Sequence, residues 1–258
     1  VAALYAIVAV LGLVVGSFLN VCIWRIPRKQ SIVRPSSRCP SCGAPIRPWD
    51  NIPVLSYVLL GGKCRYCRAK ISGRYPLVET LNAALYLMVL YRFGPGWYTP
   101  LYFAFVSAAV VISFIDLDFQ IIPDSITLAG IPIGLVAGAL LLPDPFSRMD
   151  LLGLRASALG AAAGFGLFYA VAYLSRGGMG GGDIKMMAMV GAVTGWKGVL
   201  LTTFLGSFAG SVIGIFLMIF KGKGRKTRIP FGPFLALGAV LTLLLGQELL
   251  GWYLHVRR

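Results

Sequence analysis

The chain has 258 residues, 57% hydrophobic and only 13% charged, with 24 Lys and Arg against 9 Asp and Glu for a formal net charge of +15. A soluble domain carries roughly a quarter charged residues, so this composition excludes disorder and an ordinary soluble fold and reads as a polytopic membrane protein. Eleven of the basic residues fall in 25–74, where Asp50 is the sole acid, so the charge bears first on membrane orientation.

Residues 1–24 carry no charge. At ~1.5 Å per residue they are long enough to cross a hydrocarbon layer ~30 Å thick. They lack the basic flank and small-residue cleavage site of a secretory signal, so a first transmembrane helix is expected. The polar stretch 25–76 follows, the only segment large enough for a soluble subdomain. Further uncharged runs at 93–115, 125–143, 156–175, 198–220 and 229–247 read as spans, while 80–91 and 186–196 are short enough to be re-entrant. Small-residue stretches such as 160–166 (GAAAGFG) suit close helix packing. With 25–76 placed in the cytoplasm, the loops 25–76, 116–124, 175–183 and 221–228 hold 17 Lys and Arg, against 6 on the other side. The positive-inside rule is met by eight spans or by six. Eight keeps Asp116 and Asp183 on the face of the basic loop. The expected fold is therefore all-α and polytopic, with about eight transmembrane helices and a small cytoplasmic zinc-ribbon-like loop. Its parts are a first helix at 1–24, a four-cysteine loop at 25–76 and a seven-helix core at 77–258.

Four of the five cysteines form two C-x-x-C pairs, CPSC with Cys39 and Cys42 and CRYC with Cys64 and Cys67, 21 residues apart. Paired thiols on tight turns aim at one ion, and four thiolates close a tetrahedral zinc site that leaves no coordination position for chemistry. Two disulfides or four inert thiols are the rival reading, disulfides being disfavoured in a cytosolic loop, and iron is the rival metal. Cys22 sits in an apolar run and reads as a buried apolar residue. The only histidine is His255, so imidazole catalysis has little support. The basic residues around the cysteines suit inside-positive topology and anionic headgroups better than nucleic acid, and no nucleic-acid partner is expected.

Of nine acids, Asp116, Asp118, Asp124 and Asp183 all fall at expected helix ends on one side of the bilayer. Carboxylates near hydrocarbon are expensive, which makes them functional candidates by default. Asp116 is expected to close a helix in FIDLDFQIIPDS, and Asp183 to open one in GGMGGGDIKM, where glycines permit close backbone approach. Two such carboxylates meeting across helices can share a proton and perform aspartic-protease chemistry. Asp124, after Pro123 and before Ser125, reads as a helix cap, and Lys185 as a side chain snorkelling to the interface in preference to tuning a neighbouring carboxylate or substrate. Asp118, Asp124, Lys185, Gly180 and Gly182 are the candidates for supporting groups around the pair.

The blocks GSFLNVCIWRIPR, CPSC with NIPVLSY and CRYC, ISGRYPLVE, IDLDFQIIPD, the GxGD motif of Gly180 to Asp183, and PFGPFLA occur in that order. Together, from Gly16 to Ala236, they resemble the bacterial type IV prepilin peptidases. The resemblance implies an eight-helix intramembrane aspartyl protease of the bacterial inner membrane, cutting the short basic leader from prepilins and pseudopilins at the cytoplasmic face. Matching the motifs gives Asp116 and Asp183 the roles of first and second catalytic aspartate. It also implies N-methylation of the new N-terminus with S-adenosylmethionine, whose site is not readable because no Rossmann-type fingerprint is present; Glu79 and the loop are its candidate contributors. From the residues alone, a transporter using the aspartates as ion ligands and a zinc-ribbon scaffold in a secretion assembly stay open as rivals.

Overall fold

The computed structural model describes residues 1–147, 150–176, 178–221 and 230–256. Arg148, Gly177, the basic residues of 222–229, Arg257 and Arg258 lie outside the described residues, as do the side chains of Lys221 and His255. Regular structure among the described residues is helical, apart from three isolated β-bridges. The chain divides into two compact units.

The first unit is Val1–Pro95 with Tyr102–Val111. It holds α1 (Ala2–Arg25), a 3-10 turn (Pro48–Asn51), α2 (Leu55–Leu59), α3 (Arg74–Phe93) and the middle of α4 (Thr99–Phe119). Gly12 and Gly16, one turn apart on α1, set its approach to α3. A Cβ on Gly12 would stand 2.6 Å from Ala83 Cα, and one on Gly16 2.6 Å from Glu79 Cα. Backbones this close admit only small residues, the usual device where lipid leaves no hydrophobic drive between helices. The seam is fastened by polar groups. Asn82 Nδ2 donates to Gly12 O (2.8 Å), Ser107 Oγ donates to Asn82 Oδ1 (2.9 Å), and Tyr86 Oη lies 3.0 Å from Ser107 Oγ, all buried. Cys22 is buried, as expected.

The short uncharged run 80–91 is the centre of a 20-residue helix rather than a separate weak segment. α3 starts at Arg74 and takes in Pro76, which a first helical turn tolerates because its missing N–H would have no intrahelical partner there. Glu79 thereby falls inside the helix, where it is buried and its Oε2 accepts the Val54 N–H at 2.8 Å.

The second unit is Gly96–Leu101 with Ile112–Arg258, and holds α5 (Asp124–Leu140), α6 (Gly153–Leu174), α7 (Gly181–Lys221), α8 (Gly232–Val256) and both ends of α4. α6 meets α7 through Gly160 and Gly164, where a Cβ would run into the carbonyl oxygens of Gly191 and Met187. The GAAAG part of the small-residue stretch thus does the packing, whereas Gly166 has nothing within 4 Å. α7 is interrupted at Gly195 (φ 72°, ψ 178°), a backbone conformation essentially reserved for glycine. The runs 186–196 and 198–220 meet at this break. Among the described residues, five helices are long and apolar enough to cross a membrane: Ala2–Arg25, Thr99–Phe119, Gly153–Leu174, Gly181–Phe220 and Gly232–Tyr253. The fold is that of a mostly helical membrane protein.

Candidate functional site

Asp116 does not close its helix; α4 continues one turn to Phe119. Gln120, in the left-handed region (φ 54°), ends it by donating its N–H to Asp116 O at 2.9 Å. The Asp116 side chain is therefore held by intact helix, 6% exposed, with Oδ2 accepting the Gly232 N–H of α8 at 2.9 Å.

Asp183 lies in the first turn of α7, half-buried, with its N–H on Gly180 O at 3.1 Å. The GxGD spacing has a steric basis. A Cβ on Gly182 would lie 2.7 Å from Ile122 Cβ, so the segment leaving α4 can press against the start of α7 only because position 182 is bare. A Cβ on Gly180 would come within 3.3 Å of Asp183 Oδ2, while Gly181 has nothing within 4 Å. These approaches bring Asp183 into direct electrostatic range of Asp116. Two carboxylates, one almost fully desolvated and each on the end turn of a helix, are thus the groups the second unit juxtaposes.

Asp124 and Lys185 behave differently from expectation. Asp124 makes no capping bond; it is the first helical residue of α5, after Pro123. From there both its oxygens reach Lys185 Nζ, at 2.8 Å each. Lys185 is correspondingly engaged across 61 residues of sequence rather than snorkelling, and its charge is directed at Asp124. Asp118 is exposed on the last turn of α4. Gly180 and Gly182 shape the approach to Asp183 by being small.

In the first unit the two C-x-x-C pairs fold as matching knuckles. Cys39 N–H bonds Ala44 O and Cys64 N–H bonds Ala69 O, both at 2.9 Å, and the flanking residues form the bridges Arg38 with Pro45 and Lys63 with Lys70. The residue after each second cysteine takes the left-handed conformation, Gly43 at φ 71° and Arg68 at φ 59°. The four sulfurs lie within 4.8 Å of one another, with Cys39 Sγ and Cys67 Sγ 3.9 Å apart, and no disulfide joins them. Thiolates ~2.3 Å from a tetrahedral ion stand about 3.8 Å from each other, so this cluster could hold a metal with little adjustment. The backbone amides of Cys42 and Ser41 hold the Cys39 thiol down to about 6. Cys42 stays up at about 11 against the pull of the Ala44 amide, through desolvation and its thiol neighbours. Asp50 ties the knuckles to the 3-10 turn by a two-pronged pair with Arg65 (2.8 and 2.6 Å), which holds its carboxyl below the ordinary range.

Sequence reasoning missed the engagement of Gly232 with Asp116, although the glycine between two prolines in PFGPF marks a helix start. It also missed Ile122 and the Asp124–Lys185 pair, which have no local signature.

Known proteins align with nearly the whole chain. The family model described as "Bacterial Peptidase A24 N-terminal domain" matches residues 10–93, and that described as "Type IV leader peptidase family" matches 103–215. A Prepilin leader peptidase/N-methyltransferase of Pseudomonas aeruginosa is 38% identical, the alignment covering 95% of this chain and 91% of the relative. Proteins of the same name from Legionella pneumophila and Aeromonas salmonicida are 36% and 34% identical, each alignment covering 97% of this chain and 94% of the relative. No solved structure matches the chain.

Proposed function

We propose, for a chain that belongs to the type IV leader peptidase family, that it is an intramembrane aspartyl endopeptidase removing the leader peptide of a type IV prepilin or pseudopilin and N-methylating the residue the cut exposes. Asp116 and Asp183 are its catalytic pair. The observation that carries this is the placement of two carboxylates at adjoining helix ends: Asp116 on the last turn of α4, nearly removed from water, and Asp183 in the first turn of α7, where Ile122, just past α4, lies against Gly182.

Two carboxylates that feel each other's charge hold one proton between them at small cost and two negative charges at large cost. The ionised carboxylate takes a proton from a water molecule as the water oxygen bonds to the scissile carbonyl carbon, and the protonated partner gives its proton to the carbonyl oxygen. Collapse of the resulting diol breaks the C–N bond. The mature protein departs as an amine that takes its proton from the pair, and one hydroxyl of the diol gives its proton back to the pair as the leader departs as a carboxylic acid.

S-adenosylmethionine supplies the methyl group when bound. The described residues form no strand–turn–helix cradle of the dinucleotide-binding kind, so no step is assigned to residues of this chain for that transfer. The four cysteines fit a structural zinc ion, which would hold the loop at Cys39, Cys42, Cys64 and Cys67 and take no part in hydrolysis. The same reading divides the chain into a first span at 1–24, the zinc loop at 25–76 and a seven-helix core at 77–258. It crosses the inner membrane eight times, with both termini outside and the active site toward the cytoplasm, where the basic loop belongs. Asp116→Asn and Asp183→Asn test the proposal: each abolishes prepilin cleavage while leaving thermal unfolding and metal content near wild type. A variant that still cuts removes its aspartate from the reaction.

A further inference from the structure

The PFGPF block forms the first turn of α8, where few backbone donors are free. Helix N-termini leave their first N–H groups without intrahelical partners. In α8 the N–H groups of Phe234 and Leu235 are both spent on Phe231 O, at 3.1 Å each. Pro233 has no N–H at all. Gly232 is then the one first-turn amide left to bond outside the helix, and it donates to Asp116 Oδ2 at 2.9 Å, across 116 residues of sequence. The bond engages Oδ2, and Oδ1 is not part of it. The side chain at 232 is excluded as firmly: a Cβ there would stand 2.7 Å from Oδ2, 3.1 Å from Cγ and 3.3 Å from Cβ of Asp116. A helix N-terminus is also the favourable place for a carboxylate, since its free amides and dipole face negative charge.

We propose that Gly232 is a positioning residue of the peptidase: its bare α-carbon lets α8 reach Asp116, and its amide fixes Oδ2 so that Oδ1 is the oxygen presented to water and substrate. Pro233 serves the same end by leaving Gly232 without a competing neighbouring donor. The inference rests on the assignment of Asp116 to the catalytic pair.

The test compares Gly232→Ala, which keeps the N–H and adds the obstructing carbon, with Gly232→Pro, which adds the same carbon and deletes the N–H. Both are read in wild-type and Asp116→Ala backgrounds. Prepilin cleavage by Gly232→Ala is expected to lose at least about tenfold in kcat with KM within about twofold, because a displaced carboxylate reacts poorly while the binding surface is untouched. Gly232→Pro loses more. Thermal unfolding supplies the readout that a general packing role would not give. Gly232→Ala lowers Tm when Asp116 is present and loses most of that effect in Asp116→Ala, where Oδ2 and Cγ are gone. If Gly232→Ala fails to fold, recovery of folding in the double variant reports the same coupling. Wild-type kcat in Gly232→Ala, an equal Tm loss in both backgrounds, or a double variant that still fails to fold overturns the proposal. Should Asp116→Ala itself retain cleavage, the peptidase assignment fails instead, so the two failures are distinct.

Discussion

Replacing Gly182 by alanine tests the steric account of the GxGD motif. The added Cβ would lie 2.7 Å from Ile122 Cβ, 3.4 Å from Cγ1 and 3.5 Å from Cα. Carbon atoms rest about 3.5 to 4.0 Å apart, so α7 and the segment leaving α4 must separate by about 1 Å. Forcing carbon into a filled site costs roughly 1–3 kcal/mol of stability. The larger effect falls on the reaction, because Asp183 is the next residue and moves with the helix start. A 1 Å misplacement of a reacting group costs on the order of 100-fold, close to 2.7 kcal/mol of barrier. The assay is the initial rate of leader removal from a purified prepilin in detergent, with kcat and KM separated. Gly182→Ala should lose ~10- to 100-fold in kcat, whereas Gly181→Ala, with nothing within 4 Å, should keep the wild-type rate. Deleting the obstructing carbon in the double variant Gly182→Ala with Ile122→Gly should return part of the loss. Wild-type kcat in Gly182→Ala, or equal damage from Gly181→Ala, would refute the reasoning.

Elemental analysis of the purified chain should give one zinc per molecule, and Cys42→Ser or Cys64→Ser should abolish it while opening the loop to proteolysis. Arg68→Gly should stabilise the second knuckle by about 1 kcal/mol in chemical unfolding, since Arg68 holds the left-handed conformation that Gly43 adopts freely in the first. The Asp50–Arg65 pair makes the loop sensitive to acid. A carboxyl held below its ordinary 3.8 by Arg65 contributes stability above that value and loses it as pH falls through the lowered one. Amide exchange in the loop should therefore separate Asp50→Asn from wild type at neutral pH, the two converging only once pH has fallen below the lowered value.

Much of the fold was legible because hydrocarbon imposes its own length rule: runs without charge become helices, and the uncharged runs of the sequence overlap helices among the described residues. Boundaries were not legible, because charge is a poor guide to where a helix stops. α3 carries Arg74 and Glu79 inside its helical turns, and α4 runs past Asp116 and Asp118. The cysteine cluster was readable since each pair is a local spacing, whereas Arg68 at a left-handed position gives no warning in sequence. Asp116 and Asp183 stood out as rare acids at the ends of apolar runs. Their surroundings did not, because those rest on approaches between distant segments. Lys185 finds Asp124 from 61 residues away, and Gly182 and Gly232 matter for atoms they lack. Asp124 illustrates the limit: a carboxylate at a helix start resembles a cap until its partner in another helix is known.

In the proposed function one chain both cuts and methylates, with Asp116 and Asp183 doing the cutting. The most direct measurement is the intact mass of a prepilin incubated with purified wild-type protein, Asp116→Asn or Asp183→Asn in the presence of S-adenosylmethionine. Loss of the leader and gain of one methyl group are expected with wild type, and an uncut substrate with either variant. A folded wild-type protein that leaves the prepilin intact, or a variant that still releases the leader, would contradict it.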